Sequence, residues 1–374
     1  MKIAWYDGGR HRRNSGYGHA SRVFLAAMNA LDGVEIVLIG PLPGWEDDTA
    51  RDPALEALPV VALNTITDCD FAIQVCTPES AKSLPIPSAL YTFLDVSGPT
   101  LIQERIMRSM ALVIAPNTQN QQAYAQKDIP HCLFQPNINL SLFKPQPRWR
   151  IEGERGLSFI FVGTHSYRKG TDLLIDSFCE VFKRQNAHLH MHIPGTNPDA
   201  LHNHIIRQSL HHRRAYNITI SSNYMSSPWL ARFYARADCY ITCTRGEGWG
   251  IPAMEAMGVG LPVVGPLCGG MRDFMDPQSA FAVDGEMRPV NSIDTVFGDH
   301  FSKKYSDANA LEYFEPSQKS ILAQMKAVAR YNRDDLRERG EQGRRHLLGD
   351  FSPTRAEDQA ATVLAKIEEL LSQG

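Results

Sequence analysis

Short apolar runs alternate with helical patterns along the first half of the chain. The runs that we interpret as strands are KIAWY, VEIVLIG, FAIQV, ALYTF, ALVIAP and HCLFQP. Between the first two runs, Val23, Phe24, Ala27, Met28 and Leu31 recur at the spacing of one helix face. Alternation of this kind is typical of a parallel sheet covered by helices, so a doubly wound α/β domain is predicted.

The second half of the chain repeats this pattern after a linker. Residues 137–156 are rich in proline and charge and poor in periodic apolar positions, which indicates a linker. The run LSFIFVG follows, and after it comes a helix that carries Leu174, Phe178, Val181 and Phe182 on one face. The later runs that we interpret as strands are HLHMHI, YNITI, DCYITC, LPVVG and AFAVDG. A second domain of the same class is therefore predicted.

The complete pattern predicts an α/β protein with two Rossmann-like, doubly wound domains that face each other across a cleft. We place the first domain at residues 1–145 and the second at residues 150–350. Residues 353–374 carry an apolar stripe, which predicts an amphipathic helix that packs back on the first domain. Ligands of such sheets bind at the carboxyl ends of the strands, so the functional site is expected in the cleft.

Composition narrows the class of protein. The 374 residues are 43% hydrophobic and 21% charged, which is the balance of a soluble globular protein. A net charge of −3 gives no general reason to bind nucleic acid or an acidic membrane.

No apolar stretch approaches the roughly 20 residues that span a bilayer, and no signal-peptide core is visible, so we expect a cytoplasmic protein. The seven cysteines form no Cys-x-x-Cys pair, which favours reduced thiols.

Glycine-rich turns follow predicted strands at three places and point to a phosphate-bearing ligand. Glycine allows a ligand to approach the backbone closely, and the helix behind each turn directs free N–H groups towards an anion. The turn residues that we expect to bind the ligand are Gly16, Tyr17, Gly18, Gly163, Thr164, Gly248, Trp249, Gly250 and Ile251. Any one such turn is more often a tight connection between a strand and a helix, so the prediction depends on their recurrence.

Two cations stand at the predicted start of a helix in the segment SYRKG. Arg168 and Lys169 oppose the helix dipole there, because helix amino termini favour negative charge. A diphosphate would compensate them, and the flanking Gly163 and Gly170 leave room for one. The alternative interpretation is a solvated basic pair.

Two glutamates flank the third glycine turn. Glu247 lies in the turn and Glu255 lies on the helix after it, so both are expected to face one elongated ligand at different points. Carboxylates commonly accept hydrogen bonds from the paired hydroxyls of a ribose or a sugar ring. The alternative, a capping acid and an exposed helix residue, explains poorly why Glu255 lies inside the apolar run IPAMEAMGVGLPVV.

These segments resemble a known enzyme family. EGWGIPAME with AMGVGLPVVG resembles the Glu-x7-Glu signature of the family 4 retaining glycosyltransferases, which have the GT-B fold. FVGTHSYRKGTDLLIDSF resembles that family's phosphate loop, and ALVIAPN with QPNINLSLFKP resembles its first-domain end and linker. The resemblance implies a hexosyl- or pentosyltransferase that moves a sugar from a nucleotide-sugar donor to an acceptor hydroxyl with retention of configuration. It implies no metal and no further cofactor, because the nucleotide-diphosphate sugar is a substrate.

The resemblance also assigns roles to residues. Arg168 and Lys169 neutralise the diphosphate and are the candidate catalytic residues. Glu255 holds the ribose hydroxyls, and Glu247 holds hydroxyls of the transferred sugar. The backbone amides at residues 248–250 contact the sugar, and those at residues 16–18 close on the phosphates.

Two positions depart from the family pattern. Thr164 stands where many members have an arginine after the strand-end glycine, so Arg168 carries more of the phosphate charge. Many members have a histidine in the first domain that touches the donor sugar, and here Asp95 in YTFLDVSG is the nearest polar candidate. A strand-end aspartate such as Asp95 is equally typical of a cap for the following helix.

The acceptor is left open by the sequence. Arg10, Arg12 and Arg13 precede the first glycine turn, and they fit an anionic acceptor such as a glycan, a lipid-linked phosphate or a phosphorylated sugar. A peripheral membrane contact is a further option, and nucleic acid is the less favoured partner. Two alternative functions remain, a glycosyltransferase that modifies a nucleic-acid base and an inactive regulator that binds nucleotide-sugars.

Three other clusters suggest different chemistry but have simpler structural explanations. Asp68 and Asp70 form an Asp-x-Asp pair of the kind that holds a divalent cation, although acids also mark turns before strands. His188, His190 and His192 alternate along one strand at a spacing that fits zinc, or a half-exposed strand face. Cys239 and Cys243 could form a redox pair, but both lie in an apolar strand. The sequence favours no bound metal.

Overall fold

The computed structural model resolves two compact units. One unit contains Met1–Ile138 with Asp350–Gly374, and the other contains Asn139–Gly349. The residues that the structure describes are 1–13, 15–47, 51–150, 156–182, 187–195, 199–212, 216–290 and 311–373. Residues 151–155 of the predicted linker therefore lie outside the described part of the chain.

The first unit contains a parallel sheet in which seven described strands follow the order β3-β2-β1-β4-β5-β6-β7. The strands are β1 Lys2–Tyr6, β2 Glu35–Ile39, β3 Val60–Val61, β4 Phe71–Val75, β5 Ser88–Tyr91, β6 Leu112–Ala115 and β7 His131–Leu133. Neighbours pair in parallel, for example Ile3 with Ile36 and Phe71 on either side of β1. The doubly wound order predicted from the apolar runs is confirmed.

Helices connect these strands and supply one side of the core. They are α1 Gly16–Asn29, α2 Pro53–Glu56, α3 Leu101–Arg108, α4 Thr118–Ala125 and the helix Pro353–Ser372, here called the C-terminal helix, with short 3-10 turns at Arg10–Arg12, Leu63–Asp68 and Pro78–Ser80. Helix α1 begins where the Ser15 side chain accepts a hydrogen bond from the Gly18 N–H. Its apolar face buries Phe24 and Met28 against the sheet.

The C-terminal helix belongs to the core of the first unit. Ala360, Val363 and Ile367 are fully buried in the same apolar cluster as Phe24 of α1. The Gln359 side chain also accepts a hydrogen bond from the backbone N–H of Gln135 at 2.7 Å. The sequence separation of these contacts shows that the first unit needs both ends of the chain.

The second unit repeats the arrangement with six described parallel strands in the order β10-β9-β8-β11-β12-β13. The strands are β8 Leu157–Val162, β9 Ala187–His192, β10 Ile218–Ser221, β11 Cys239–Ile241, β12 Val263–Pro266 and β13 Ala280–Val283. An antiparallel hairpin, β14 Gly285–Pro289 with β15 Glu312–Pro316, follows the sheet. The apolar pattern did not predict this hairpin, because all five residues of β14 are exposed.

Seven described helices surround or extend this second sheet. They are α5 Thr171–Val181, α6 Asp199–His212, α7 Ser227–Tyr234, α8 Ile251–Gly258, α9 Met271–Phe274, α10 Gln318–Val328 and α11 Arg333–Asp350. Phe159 of β8, Phe178 of α5 and Met325 of α10 are buried together in one core cluster. Burial of these large side chains fixes α5 and α10 against the sheet.

Each sheet has a point at which the strand order reverses. The reversal lies between β1 and β4 in the first unit, and between β8 and β11 in the second. Connections on the two sides of such a point leave opposite faces of the sheet, so a crevice forms outside the carboxyl ends of those strands. The glycine turns predicted to bind ligand follow β1, β8 and β11, and therefore lie at these reversal points.

Candidate functional site

The turn after β8 is held against the end of β11. Gly170 has φ 64° and forms the amino-terminal boundary of α5. A Cβ atom at this position would lie 1.8 Å from the Cys243 carbonyl oxygen, so only glycine allows the approach. Backbone hydrogen bonds from Lys169 to Ser166 and from Gly170 to Tyr167 shape the turn itself. This geometry places Arg168 and Lys169 beside the turn that follows β11.

Arg168, Lys169 and Glu247 form one charged cluster. The Lys169 ammonium lies 2.5 Å from Glu247 Oε1, and Arg168 Nη1 lies 3.8 Å from Glu247 Oε2. Arg168 Nη1 also donates to the Gly246 carbonyl oxygen at 2.6 Å. All three side chains are mostly buried, at 23%, 13% and 11% exposure. The basic pair is thus mostly buried against Glu247 and is not merely solvated.

Glu255 occupies a buried position on α8. Its Oε2 atom accepts a hydrogen bond from the Tyr234 hydroxyl at 2.9 Å. Burial raises the pKa of Tyr234 well above its ordinary value, and the nearby Glu255 charge raises it further. The phenol therefore stays neutral and orients the carboxylate. Tyr234 was not predicted from the sequence, because it is separated from Glu255 by a strand and a turn.

The turn before α8 is shaped by packing. Gly250 has φ 101°, and a Cβ there would lie 2.7 Å from Met271 Cγ. The Trp249 ring is buried against Phe274, with ring centroids 5.3 Å apart. The turn leads directly into Ile251, the first residue of α8. Contact between sugar and the amides at Gly248, Trp249 and Gly250 stays a prediction.

Arg245 is a buried residue of this site that sequence reasoning missed. Its side chain is 2% exposed and pairs with Asp172 at 2.9 Å and with Glu315 at 3.0 Å. Burial alone lowers the pKa of an arginine, but hydrogen bonds to these two carboxylates more than offset it, and the pKa of Arg245 is raised. An arginine directly before the glycine turn in ITCTRGEG was the available signal.

In the first unit, the predicted loop residues have internal contacts. A Cβ at Gly18 would lie 2.2 Å from the Arg13 carbonyl oxygen, whereas Gly16 has open space around it. The Tyr17 hydroxyl lies 3.2 Å from Thr92 Oγ1 and accepts from the Phe93 N–H. Helix packing therefore accounts for Gly18 and Tyr17, and their contact with phosphates stays a prediction.

The loop after β1 is fixed by a buried carboxylate. Asp7 accepts hydrogen bonds from the N–H of Gly9, from the N–H and Nδ1 of His11, and from the Ser21 hydroxyl. Burial raises the pKa of Asp7, but the bonds from His11 and Ser21 outweigh it and the pKa is lowered. The ionised carboxylate thus organises the loop that carries the predicted acceptor arginines.

The predicted acceptor arginines differ in their contacts. Arg12 donates to the Pro43 carbonyl oxygen at 3.0 Å, and Arg13 pairs with Glu46. Both therefore bind the neighbouring loop. Arg10 instead lies over the Tyr17 ring, with its guanidinium carbon 5.7 Å from the ring centroid.

Asp95 lies between β5 and α3 and is half-buried. It does not cap the following helix, because Thr100 and Gln103 form a capping box at the start of α3. Burial raises the pKa of Tyr17, and the charge of Asp95 adds to this effect. Asp95 is thus near the Tyr17 hydroxyl, and its contact with a donor stays a prediction.

The alternative clusters have structural partners. Asp68 pairs with the Lys2 ammonium at 2.9 Å, and Asp70 accepts from the Lys2 N–H, both at the amino edge of the first sheet. The Nδ1 atoms of His190 and His192 bond hydroxyls of Thr219 and Ser221 on β10. Across the described residues, no group of three or more His, Cys, Asp or Glu side chains is arranged to hold a metal.

The proposed redox pair also has a different environment. Cys239 and Cys243 are both buried, and burial raises the pKa of each thiol. The Cys239 thiol donates to the Pro262 carbonyl oxygen at 3.2 Å. Thiols in this state are poor nucleophiles, since the reactive form is the thiolate.

A cavity of 290 Å³ opens elsewhere in the second unit. It is lined in part by Asp238 and Pro262, which directly precede β11 and β12. The cavity therefore lies at the amino edge of the sheet, opposite the edge that carries Arg168, Lys169 and Glu247.

Comparison with solved structures defines the fold class. Anabaena HepE, solved in complex with UDP and glucose, superposes with a TM-score of 0.70 and 14% identity over 98% of this chain and 99% of that chain. Sucrose-phosphate synthase of Thermosynechococcus elongatus gives a TM-score of 0.67 and 13% identity over 99% of each chain. The fold is GT-B, as the sequence predicted.

Sequence comparison finds similarity to glycosyltransferases in the second unit. Residues 156–295 match the family model of Glycosyl transferases group 1. A stretch of 123 residues is 31% identical to mannosylfructose-phosphate synthase of Agrobacterium fabrum, over 32% of this chain and 27% of that protein. A stretch of 116 residues is 28% identical to an uncharacterised glycosyltransferase of Methanocaldococcus jannaschii, over 31% of this chain and 28% of that protein. The matches thus span just over a quarter of each curated relative.

Among the helices that the structure describes, none is both long enough and apolar enough to cross a bilayer.

Proposed function

We propose that this protein is a glycosyltransferase that transfers a hexose or pentose from a nucleotide-sugar to an acceptor hydroxyl. The observation that carries the proposal is the cluster of Arg168, Lys169 and Glu247 at the reversal point of the second sheet. This cluster lies within the residues that match the glycosyltransferase family model. Ligands of doubly wound sheets bind at such points, and paired cations suit a diphosphate.

The charged cluster suggests how a donor would be held. Lys169 now binds the Glu247 carboxylate, so an arriving diphosphate would compete for the ammonium and release Glu247 to accept from sugar hydroxyls. Glu255, oriented by Tyr234, would accept from the ribose hydroxyls. In this proposal Glu247 and Glu255 are the Glu-x7-Glu pair of the family 4 retaining enzymes.

The same cations would assist the reaction. Cleavage of the donor's glycosidic bond builds oxocarbenium character on the sugar and negative charge on the departing diphosphate. Arg168 and Lys169 would stabilise this growing charge, which lowers the barrier more than it strengthens substrate binding. We propose retention of configuration without a metal, with the donor phosphate assisting deprotonation of the acceptor.

A donor screen tests this proposal. Thermal unfolding would be followed with UDP-, GDP-, ADP- and CMP-sugars, because a ligand that binds only the native state raises Tm. We expect one nucleotide class to raise Tm and to be hydrolysed slowly by the protein. The absence of any shift across the four classes would contradict the proposal, whereas binding without turnover would favour an inactive regulator.

We further propose that the acceptor is anionic and that Arg10 contacts it. Arg12 and Arg13 bind the neighbouring loop, while Arg10 lies over Tyr17 near the carboxyl end of β1. Once a donor and an acceptor have been found, Arg10→Ala should raise the acceptor KM and leave donor hydrolysis unchanged. Arg13→Ala is the matched control, and an equal effect in both variants would remove the assignment.

A further inference from the structure

We infer that Arg245 is a positioning residue that holds the Arg168–Lys169 turn in the shape that grips a diphosphate. This inference rests on the proposed function, because the role matters only if a diphosphate binds there. Arg245 lies directly before the glycine turn that carries Glu247, and its buried side chain pairs with Asp172 and Glu315. Its effect on ligand binding would therefore come from the groups that it holds in place.

Arg245 attaches to the phosphate turn through both its backbone and its side chain. Its N–H donates to the Arg168 carbonyl oxygen at 2.6 Å, and its Nη1 donates to the Tyr167 carbonyl oxygen at 2.7 Å. Its Nη1 and Nη2 form a two-pronged pair with Asp172 on the first turn of α5, at 2.9 and 3.0 Å. Arg245 thus bonds the carbonyl groups of both Tyr167 and Arg168, and the Thr244 hydroxyl adds a bond to the Arg168 carbonyl oxygen at 3.2 Å.

A second set of contacts anchors Arg245 from the opposite side. Its Nε donates to Glu315 on β15 at 3.0 Å, and its carbonyl oxygen accepts from the Phe314 N–H at 3.1 Å. The Tyr167 ring covers the guanidinium, with its centroid 3.5 Å from the guanidinium carbon. The planar group is therefore bonded along its edges and packed on a face.

These contacts require the guanidinium shape as well as its charge. A lysine ammonium is a point charge and cannot reproduce the two-pronged pair with Asp172 together with the bond to Glu315. Burial of an unpaired cation is unfavourable, so the two carboxylates and the arginine stabilise one another as a set. Replacement of the Arg245 guanidinium should therefore let the turn that carries Arg168 and Lys169 move, while the second unit remains folded.

The test compares ligands that differ in phosphate content. Calorimetry would measure Kd for UDP, GDP and ADP and for the monophosphates UMP, GMP and AMP, in the wild-type protein and in Arg245→Lys. We expect the affinity for the diphosphate that binds the wild type to fall about tenfold, and that for its monophosphate to fall much less. If Arg245→Lys folds poorly, Glu315→Gln replaces it in the test. This variant keeps the pair with Asp172, so its affinity for the diphosphate should fall by a smaller factor.

Arg339→Lys is the matched control. Arg339 donates to the Ala280 carbonyl oxygen at 2.7 Å and lies 4.3 Å from the Phe281 ring centroid, but contacts neither glycine turn. Its replacement should leave both affinities unchanged. Equal losses for diphosphate and monophosphate, or no loss at all in Arg245→Lys, would overturn the positioning role. Failure of the wild type to bind any of UDP, GDP and ADP would instead count against the proposed diphosphate donor, and the positioning role would fall with it.

Discussion

The Lys169 ammonium and the Glu247 carboxylate are in direct contact. Lys169→Met removes the cation and keeps the length of the side chain. If Lys169 stabilises charge on the leaving diphosphate, kcat for donor hydrolysis should fall about 100-fold, the usual effect of losing one such group. Steady-state kinetics with the donor identified by the screen would measure it.

Lys144→Met provides the control for this substitution. Lys144 is an exposed lysine of the same unit, and its replacement should leave kcat unchanged. A Lys169→Met protein that hydrolyses donor at the wild-type rate would show that the cation acts elsewhere or not at all.

We expect the stability of the first unit to depend on pH through His19. Burial lowers the pKa of His19 from 6.5 to about 4, the nearby Arg22 charge adds to this, and a hydrogen bond with the Asn137 carbonyl partly opposes it. The unfolded chain therefore takes up a proton below pH 6.5 that the folded state does not take up until about pH 4. Stability should decrease as the pH falls through this interval, by up to about 1.4 kcal/mol per pH unit.

Denaturant unfolding between pH 7 and pH 4 would measure this dependence. His19→Gln offers an amide N–H to Asn137 without titrating, so it should flatten the pH profile. His202→Gln changes an exposed histidine and should keep the wild-type slope. Identical slopes in all three proteins would contradict the assignment to His19.

The sequence predicted candidate site residues where the signal was local. Arg168, Lys169, Glu247 and Glu255 stand out because charge occurs beside glycine or within an apolar run. Arg245 also lies beside a glycine, but its role could not be predicted, since its partners Asp172 and Glu315 are distant in the chain. An ion pair between residues that are distant in the chain produces no periodic pattern in the sequence, so it cannot be predicted from periodicity.

At the scale of elements, the contact between the β8 turn and β11 depends on one glycine. Gly170→Ala would place a methyl group 1.8 Å from the Cys243 carbonyl oxygen and would force φ 64° on a residue with a side chain. The free energy of unfolding should fall by more than the roughly 1–2 kcal/mol expected from the backbone conformation alone. Urea unfolding followed by tryptophan fluorescence would measure the loss.

Gly33→Ala separates the two effects. Gly33 has φ 76° but has no atom within 4 Å of an added Cβ, so its replacement reports backbone strain without a clash. We expect a clearly smaller loss than for Gly170→Ala. Equal losses would mean that the close approach to Cys243 relaxes easily.

Apolar periodicity predicted the central strands but missed the marginal ones. β1, β4 and β8 lie inside their sheets and read as nearly continuous apolar runs. β3 has two residues and an exposed Val60, and β14 is exposed throughout, so neither carries the pattern of a buried strand. Such edges depend on pairing with a neighbour, which sequence periodicity does not record.

At the scale of the whole molecule, the C-terminal helix completes the core of the first unit. Ile367 is fully buried there, and Ile367→Ala should lower the free energy of unfolding by about 2–5 kcal/mol. The neighbouring Lys366 bonds the exposed Glu369, so Lys366→Ala should cost less than about 1 kcal/mol. Chemical denaturation of both variants tests the assignment, and similar effects would argue that the helix is only loosely attached.

That helix also imposes an order on biosynthesis. The strands of the first unit are translated before the helix Pro353–Ser372, and the whole second unit is made in between. Part of the sheet in the first unit therefore stays uncovered until the C-terminal helix has been made. A chaperone that shields apolar surface during translation would therefore act chiefly on the segment made first.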